Sequence, residues 1–180
     1  MRLGSPNRIR RLWRRCFWIN PYWLKKLVLG GAAVSLIWAA VSHTKIYFNR
    51  TDSSPYQAFV CADFLRVSHG DYVSIEGHQA DYFSGLHYTK KIAGLPGDVI
   101  EVKDEQLYVG GRLIGPLLSE TTQGLPLSPL AINKVPDDSV FVAGDHSRSF
   151  DSRYQEFGLV KAAHIRGRCF GIGKRKVEQL

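Results

Sequence analysis

The sequence predicts a mostly β protein that carries one N-terminal transmembrane helix. Short runs of β-branched and aromatic residues recur after about residue 45, each set off by Gly, Asp or Pro. A long uncharged stretch, Leu27–Ser42, precedes them. No long amphipathic helix is visible after that stretch, which argues against α/β architectures. At 180 residues the chain has room for one domain of ordinary size and a tail.

The predicted strands are separated by clear turn signals. The pair Gly110-Gly111 between two such runs is typical of a two-residue hairpin turn. We expect a cap or loop at about residues 104–138, because the stretch 116–136 is rich in Pro and Gly and has little periodicity. The composition predicts strands at residues 57–61, 71–75, 87–93, 98–102, 106–109, 139–143 and 165–170.

Charge is concentrated at the N-terminus. Residues 1–26 hold eight Lys and Arg side chains and no acidic one, within a net charge of +8. The rest of the chain holds 16 basic and 16 acidic side chains, so the body is neutral. A nucleic-acid-binding domain would carry its basic excess on the folded surface. We therefore expect no nucleic-acid partner.

The uncharged stretch is interpreted as a membrane anchor at residues 24–45. Its sixteen residues are fewer than the roughly 20 that cross a bilayer core. Lys25 and Lys26 can extend toward the headgroups on one side, and Tyr47 and Phe48 would form an aromatic belt on the other. The anchor therefore makes membrane lipid an expected partner.

The positive-inside rule sets the orientation of this anchor. It leaves residues 1–26 as a basic cytoplasmic tail and places the domain 46–180 outside the cytoplasm. An alternative is a cleavable signal peptide, with the small residues Ala40 and Ser42 before the cut. We favour a retained anchor, because Ser53 follows so closely that cleavage would separate it from the membrane.

The cysteines and histidines indicate no metal site. Cys16 falls in the cytoplasmic tail and would stay reduced, whereas Cys61 and Cys169 would share an oxidising compartment and could pair. We expect instead that these two are small buried apolar residues. The six histidines are scattered and match no metal-binding spacing, so no metal or cofactor is expected.

A serine hydroxyl and a lysine amine are the candidate reactive groups. Ser53 lies 11 residues beyond the apolar stretch. A serine nucleophile needs a base within hydrogen-bond reach, and the sequence has neither a G-x-S-x-G elbow nor a recognisable histidine triad. Lysine is a known substitute base. Lys90 and Lys91 point to opposite faces of a predicted strand, and alternation alone does not choose between them.

The lysine that acts as base must be uncharged. Lowering the pKa of a lysine from about 10.4 to near 7–8 takes about 3–5 kcal/mol of differential stabilisation. Desolvation is the plausible source, and Ile92, Leu95 and Phe150 are apolar neighbours that could provide it.

Three segments together resemble bacterial type I signal peptidases. They are Thr51-Asp52-Ser53-Ser54-Pro55, the run from Tyr88 to Asp98 with Lys90 followed by Gly-Leu-Pro-Gly-Asp, and the run from Gly144 to Tyr154. The Thr-x-Ser-x-Pro form is similar to the branch that processes pilin subunits in plasmid conjugation. The resemblance covers roughly residues 24–172. His146 and Ser147 depart from the Asn-Arg pair that is usual in these enzymes.

The resemblance implies a role for each matching residue. Ser53 would be the nucleophile and Lys90 the general base, with Thr51 contributing a hydroxyl to the oxyanion hole. The residues that would support this pair are Ser149, which would fix the lysine rotamer, Asp151 and Arg153, which would form an ion pair behind it, and Asp145, which would contact this wall. Ser54 is a weaker candidate nucleophile, because strand alternation would turn it away from the face of Ser53.

The resemblance also implies a fold and a function. It predicts a signal-peptidase-like β-barrel or sandwich in a bacterial inner membrane, with the catalytic domain in the periplasm. The enzyme would be a serine endopeptidase that removes leader peptides from exported preproteins. We favour maturation, with cyclisation in some cases, of a conjugative pilin precursor beside the transfer machinery, over general secretion. A non-catalytic, membrane-tethered assembly factor is the alternative of another class.

Overall fold

The computed structural model describes residues 21–49, 53–82 and 86–174, which form two compact units. The first unit ends at Ser42, and its described residues form the helix α1 (Pro21–Ser42). Residues Tyr22–Ser42 of this helix are long and apolar enough to cross a membrane, judged by length and composition. Its 21 residues reach about 31 Å at helical rise, close to the thickness of a bilayer core. The predicted basic tail lies mostly outside the described residues.

The second unit, residues 43–180, is a mostly β body of antiparallel sheets. One sheet has the strand order β1-β2-β10-β3-β4-β8-β9, and a smaller sheet has the order β5-β6-β7. This confirms the predicted fold class. The strands are β1 (Thr44–Phe48), β2 (Tyr56–Ala62), β3 (Tyr72–Ile75), β4 (Tyr88–Gly94), β5 (Ile100–Lys103), β6 (Gln106–Val109), β7 (Arg112–Pro116), β8 (Ser139–Ala143), β9 (Val160–Lys161) and β10 (Ile165–Lys174).

The hairpin between β6 and β7 matches its sequence signal. Val109 pairs with Arg112, so Gly110 and Gly111 form the two-residue turn. Their φ angles of 55° and 74° are those of a turn that requires two left-handed residues. The segment 104–138, expected to be a cap or loop, therefore contains β6 and β7, and its residues after Pro116 have little regular structure.

Strand β1 begins two residues after the helix and includes the aromatic residues expected at the lipid boundary. The Tyr47 hydroxyl donates to Glu76 Oε1 at 3.1 Å, and its ring stacks on His87 at 3.8 Å between centroids. Protein contacts thus position Tyr47, whereas Phe48 is exposed. The strand was not predicted, because its sequence reads as the end of the anchor.

The two larger core clusters lie around β4 and β8. The first includes Val73, Ile92 and Val142, and the second includes Leu107, Val135 and Phe141, which join the small sheet to the large one. Leu95 and Phe150 pack against the first cluster. One face of β4 is therefore covered by apolar side chains.

The third cluster contains a disulfide bond between Cys61 and Cys169. The two residues lie directly opposite each other on β2 and β10, and their Cα atoms are 3.9 Å apart. Both are buried, as expected, but the expectation of two unpaired thiols is wrong. The pairing depends on the register of strands more than 100 residues apart, which composition does not specify.

Candidate active site

Strand β4 places its two adjacent lysines in opposite environments. Lys90 lies opposite Val73 on β3 and is buried, with 6% of its surface exposed. Lys91 lies opposite Tyr72, and 44% of its side chain is exposed. Because neighbouring strand residues point to opposite faces, only Lys90 faces the apolar core. The structure thus distinguishes two lysines that alternation alone left equivalent.

Burial changes the chemistry of Lys90. Its Nζ donates a hydrogen bond to Ser149 Oγ at 2.7 Å. Desolvation lowers the pKa of Lys90 to about 8, although the carboxylates of Asp151 and Asp145 oppose the shift. A substantial fraction of the amine is therefore neutral near pH 7–8, and a neutral amine can accept a proton from a hydroxyl.

A buried ion pair forms the wall behind Lys90. Arg153 Nε donates to Asp151 Oδ1 at 2.8 Å, and its Nη2 donates to Oδ2 at 3.0 Å. At most 1% of either side chain is exposed. The remaining Arg153 donors reach the carbonyl oxygens of Ser147, Ser149 and Pro116 at 2.7–3.0 Å. This guanidinium therefore ties the segment that carries Ser149 to the end of β7.

Gly144 is the meeting point of the candidate residues. A Cβ at this position would overlap Ser149 Oγ and would lie 3.1 Å from the Ser53 carbonyl oxygen. The Gly144 N–H donates to Asp151 Oδ2 at 2.9 Å. The structure thus brings the main chain of Ser53, the hydroxyl of Ser149 and, through Ser149, the amine of Lys90 to one place.

Asp145 contacts a different part of the site from the ion-pair wall. Its N–H donates to the Ser53 carbonyl at 2.9 Å. Its carboxylate accepts a hydrogen bond from Tyr72 at 2.6 Å and lies 3.6 Å from Lys91 Nζ. Asp145 therefore touches the Ser53 segment directly, on the Lys91 side of β4.

Thr51 and Ser54 are two further residues that the sequence analysis singled out. Thr51, the expected oxyanion-hole hydroxyl, lies outside the described residues. Ser54 lies in the turn before β2 rather than in a strand, is buried, and its Oγ accepts a hydrogen bond from the Tyr56 N–H at 3.4 Å.

Sequence reasoning missed three residues that shape the site. Gly144 directly follows the fully buried strand β8. A glycine in such a place indicates that another segment of backbone approaches closely, so the sequence did contain a signal for this residue. Asn49 donates from Nδ2 to the carbonyls of Ser54 at 3.2 Å and Tyr56 at 2.9 Å, which holds the turn after Ser53. Tyr72 reaches Asp145 across 73 positions of sequence, and no local pattern marks such a contact.

The comparisons with known proteins agree with the three-segment resemblance. The family model described as signal peptidase, peptidase S26, matches residues 23–172. A signal peptidase I of Bacillus licheniformis is 35% identical over 106 residues, which cover 54% of each chain. The signal peptidase I S of Bacillus subtilis (strain 168) is 36% identical over 107 residues, again 54% of each chain. The chain thus spans about half the length of these curated relatives.

Among solved structures, the crystal structure of a signal peptidase I from Enterococcus faecalis V583 is similar to the chain, at 26% identity and a TM-score of 0.41. The match covers 58% of this chain and 97% of that one.

Proposed function

Because the chain belongs to the signal peptidase family, peptidase S26, we propose that it is a membrane-anchored serine endopeptidase that removes leader peptides from exported preproteins. One observation carries this proposal beyond family membership: Lys90 is a buried amine with a pKa lowered to about 8, hydrogen-bonded to a serine hydroxyl. A structural lysine has no need of such burial, which costs free energy. A general base that works near neutral pH needs it.

Each residue has a defined role in the mechanism. Ser53 Oγ attacks the scissile carbonyl while Lys90 takes its proton, and Lys90 then passes that proton to the leaving amine. The tetrahedral oxyanion accepts hydrogen bonds from the Ser53 N–H and the Thr51 hydroxyl. Water, deprotonated by Lys90, then releases the acyl group and regenerates Ser53.

The supporting residues keep Lys90 aimed at Ser53. Ser149 Oγ accepts a hydrogen bond from the Lys90 amine, which restricts the rotamer of the lysine. Two hydrogen bonds join Arg153 to Asp151, and three more from this pair hold Gly144, Ser147 and Ser149, so the wall is fixed in place.

The helix and the disulfide support a proposal for the location of the enzyme. We propose that residues 24–45 anchor the chain in the bacterial inner membrane, with residues 1–26 in the cytoplasm and the domain 46–180 in the periplasm. The Cys61–Cys169 bond supports this orientation, because disulfides persist in oxidising compartments. Substrates would then arrive across the same bilayer.

The narrower function is the maturation of a conjugative pilin precursor. The observation that favours it is the spacing Thr51-x-Ser53-x-Pro55. In this version the cut lies at the C-terminal end of the pilin, so the acyl group on Ser53 belongs to the pilin and passes to the pilin's own N-terminal amine, which closes a ring and releases Ser53 without water. In general secretory processing the acyl group on Ser53 belongs to the leader peptide, and water is the final acceptor.

The test is a processing assay with the full chain in membranes. A preprotein with small residues at −1 and −3 is cleaved by the wild type and not by Ser53→Ala, whereas Ser54→Ala keeps most of the activity. If wild type and Ser53→Ala leave the same uncut precursor, the peptidase is refuted and an assembly factor is the better reading. With a propilin substrate, mass spectrometry separates a cyclic product, one water lighter, from a linear one.

A further inference from the structure

Tyr72 is the first residue of β3, and its side chain contacts Asp145, which binds the Ser53 carbonyl. In register it is opposite Lys91 on β4 and Cys169 on β10. Its hydroxyl donates to Asp145 Oδ2 at 2.6 Å, a short hydrogen bond to a charged acceptor. Such bonds are roughly twice as strong as those between neutral groups.

Asp145 transmits this contact to the nucleophile. Its N–H donates to the Ser53 carbonyl at 2.9 Å, so the carboxylate that Tyr72 holds and the N–H that holds Ser53 belong to one residue. Lys91 Nζ lies 3.6 Å from the other carboxylate oxygen and 5.6 Å from the centroid of the Tyr72 ring. Since Lys91 is half exposed, the pair it forms with Asp145 is weak.

The ring of Tyr72 contacts the other end of the same segment. Its centroid lies 5.6 Å from that of Tyr56 in an edge-on arrangement, and 5.1 Å from that of Phe59. Tyr56 follows Ser53 by three residues and begins β2. Tyr72 therefore supports the Ser53 turn from two directions, by its hydroxyl through Asp145 and by its ring through Tyr56.

We infer that Tyr72 is a positioning residue, which holds the Ser53 turn against the Gly144 segment and so aligns Ser53 with Lys90. This inference rests on the proposed peptidase function for its effect on turnover, but the contacts themselves do not depend on it. The effect requires that the hydroxyl stay protonated. Burial and the Asp145 carboxylate raise the pKa of Tyr72, so it remains a donor throughout the pH range in which Lys90 titrates.

The variant Tyr72→Phe removes the hydroxyl and keeps the ring. We expect kcat for preprotein cleavage to fall about tenfold, with KM and the melting temperature nearly unchanged. The matched control is Tyr108→Phe in β6 of the small sheet, which should leave kcat unchanged. A purely structural tyrosine would lower the melting temperature and not kcat, and that result would overturn the inference.

A double-mutant cycle tests whether the effect passes through Asp145. Asp145→Ala keeps the N–H that binds Ser53 and removes the oxygen atoms that accept the Tyr72 hydrogen bond. If Tyr72 acts through Asp145, adding Tyr72→Phe to Asp145→Ala lowers kcat little further. Independent effects that multiply would contradict the proposed route.

Hydrogen exchange separates this inference from the proposed function. The Asp145 amide should exchange about tenfold faster in Tyr72→Phe than in the wild type and in Tyr108→Phe, because the Ser53 turn is held less firmly. An unchanged exchange rate overturns the positioning role even in an active enzyme. A faster rate in a chain that cleaves no preprotein supports the role and refutes the peptidase instead.

Discussion

The two faces of β4 carry the same residue type and give it opposite properties. On one face, Lys90 is buried beside an ion pair that is itself fully buried, Asp151–Arg153. On the other, Lys91 pairs with Asp145 at 3.6 Å, with 44% and 26% of the two side chains exposed. These adjacent lysines differ in solvation. Water screens the exposed pair of Lys91 with Asp145, whereas it is excluded from the buried surroundings of Lys90. A lysine becomes a base through its surroundings rather than through its own sequence position.

The sharpest test of this comparison is to remove each amine in turn. Lys90→Met should reduce kcat/KM by about 10³-fold, because in the proposed mechanism it removes the base that deprotonates Ser53. Lys91→Met should keep activity within a few-fold of the wild type. Steady-state kinetics on a preprotein substrate measures both. Equal losses in the two variants would show that the faces do not differ in function.

The two ion pairs should differ as strongly in stability. Arg153→Met leaves the Asp151 carboxylate buried without its partner, and we expect it to lower the free energy of unfolding by about 3–5 kcal/mol. Lys91→Met breaks an exposed pair and should cost about 1 kcal/mol or less. Denaturant unfolding of both variants, with the disulfide intact, provides the comparison. A similar small loss in both would mean that the wall around Arg153 is loosely packed.

Substitution of Gly144 tests how closely Ser53 and Ser149 must approach each other. A Cβ there would overlap Ser149 Oγ and press on the Ser53 carbonyl, so Gly144→Ala must displace one of them. A displacement of about 1 Å in the reacting groups lowers kcat about 10²-fold. Gly30→Ala in the helix, where a Cβ meets nothing within 4 Å, is the control. Full activity of Gly144→Ala would mean that Ser53 and Ser149 need not approach so closely.

The pH profile gives the most direct reading of Lys90. The active form is the neutral amine, so kcat/KM should fall about tenfold per unit as the pH drops below the Lys90 pKa of about 8, and should level off above it. Lys91→Met should leave the midpoint in place, because its amine lies on the other face. A profile that stays flat from about pH 6 to about pH 9 would contradict lysine as the base.

Several features of the fold could be predicted because their signals are local. Strands β6 and β8 match their predicted bounds, 106–109 and 139–143, and the Gly110-Gly111 turn joins its two strands as expected. The helix is longer than the uncharged stretch, because Pro21–Lys26 continue it. Strand β1 was missed, since nothing in its composition separates it from the anchor.

The candidate site was likewise predicted only in part from the sequence. Ser53, Lys90, Ser149, Asp151 and Arg153 were named from the sequence through their resemblance to a family. The contacts of Asp145 with Tyr72 and Lys91, and the role of Gly144 as the meeting point, were not. Each of these depends on how strands far apart in the chain are aligned.

By itself the sequence determined the types of the main elements, the N-terminal apolar helix and the short set of residues able to act as nucleophile or base. Those properties follow from periodicity, turn chemistry and charge, which are read over a few neighbouring residues. Only the tertiary structure decided that Lys90 rather than Lys91 is desolvated, that Cys61 and Cys169 are joined, and that Tyr72 reaches Asp145. The physical reason is that burial and register are set by the packing of distant segments, and a change of one residue in register would exchange the two faces of β4.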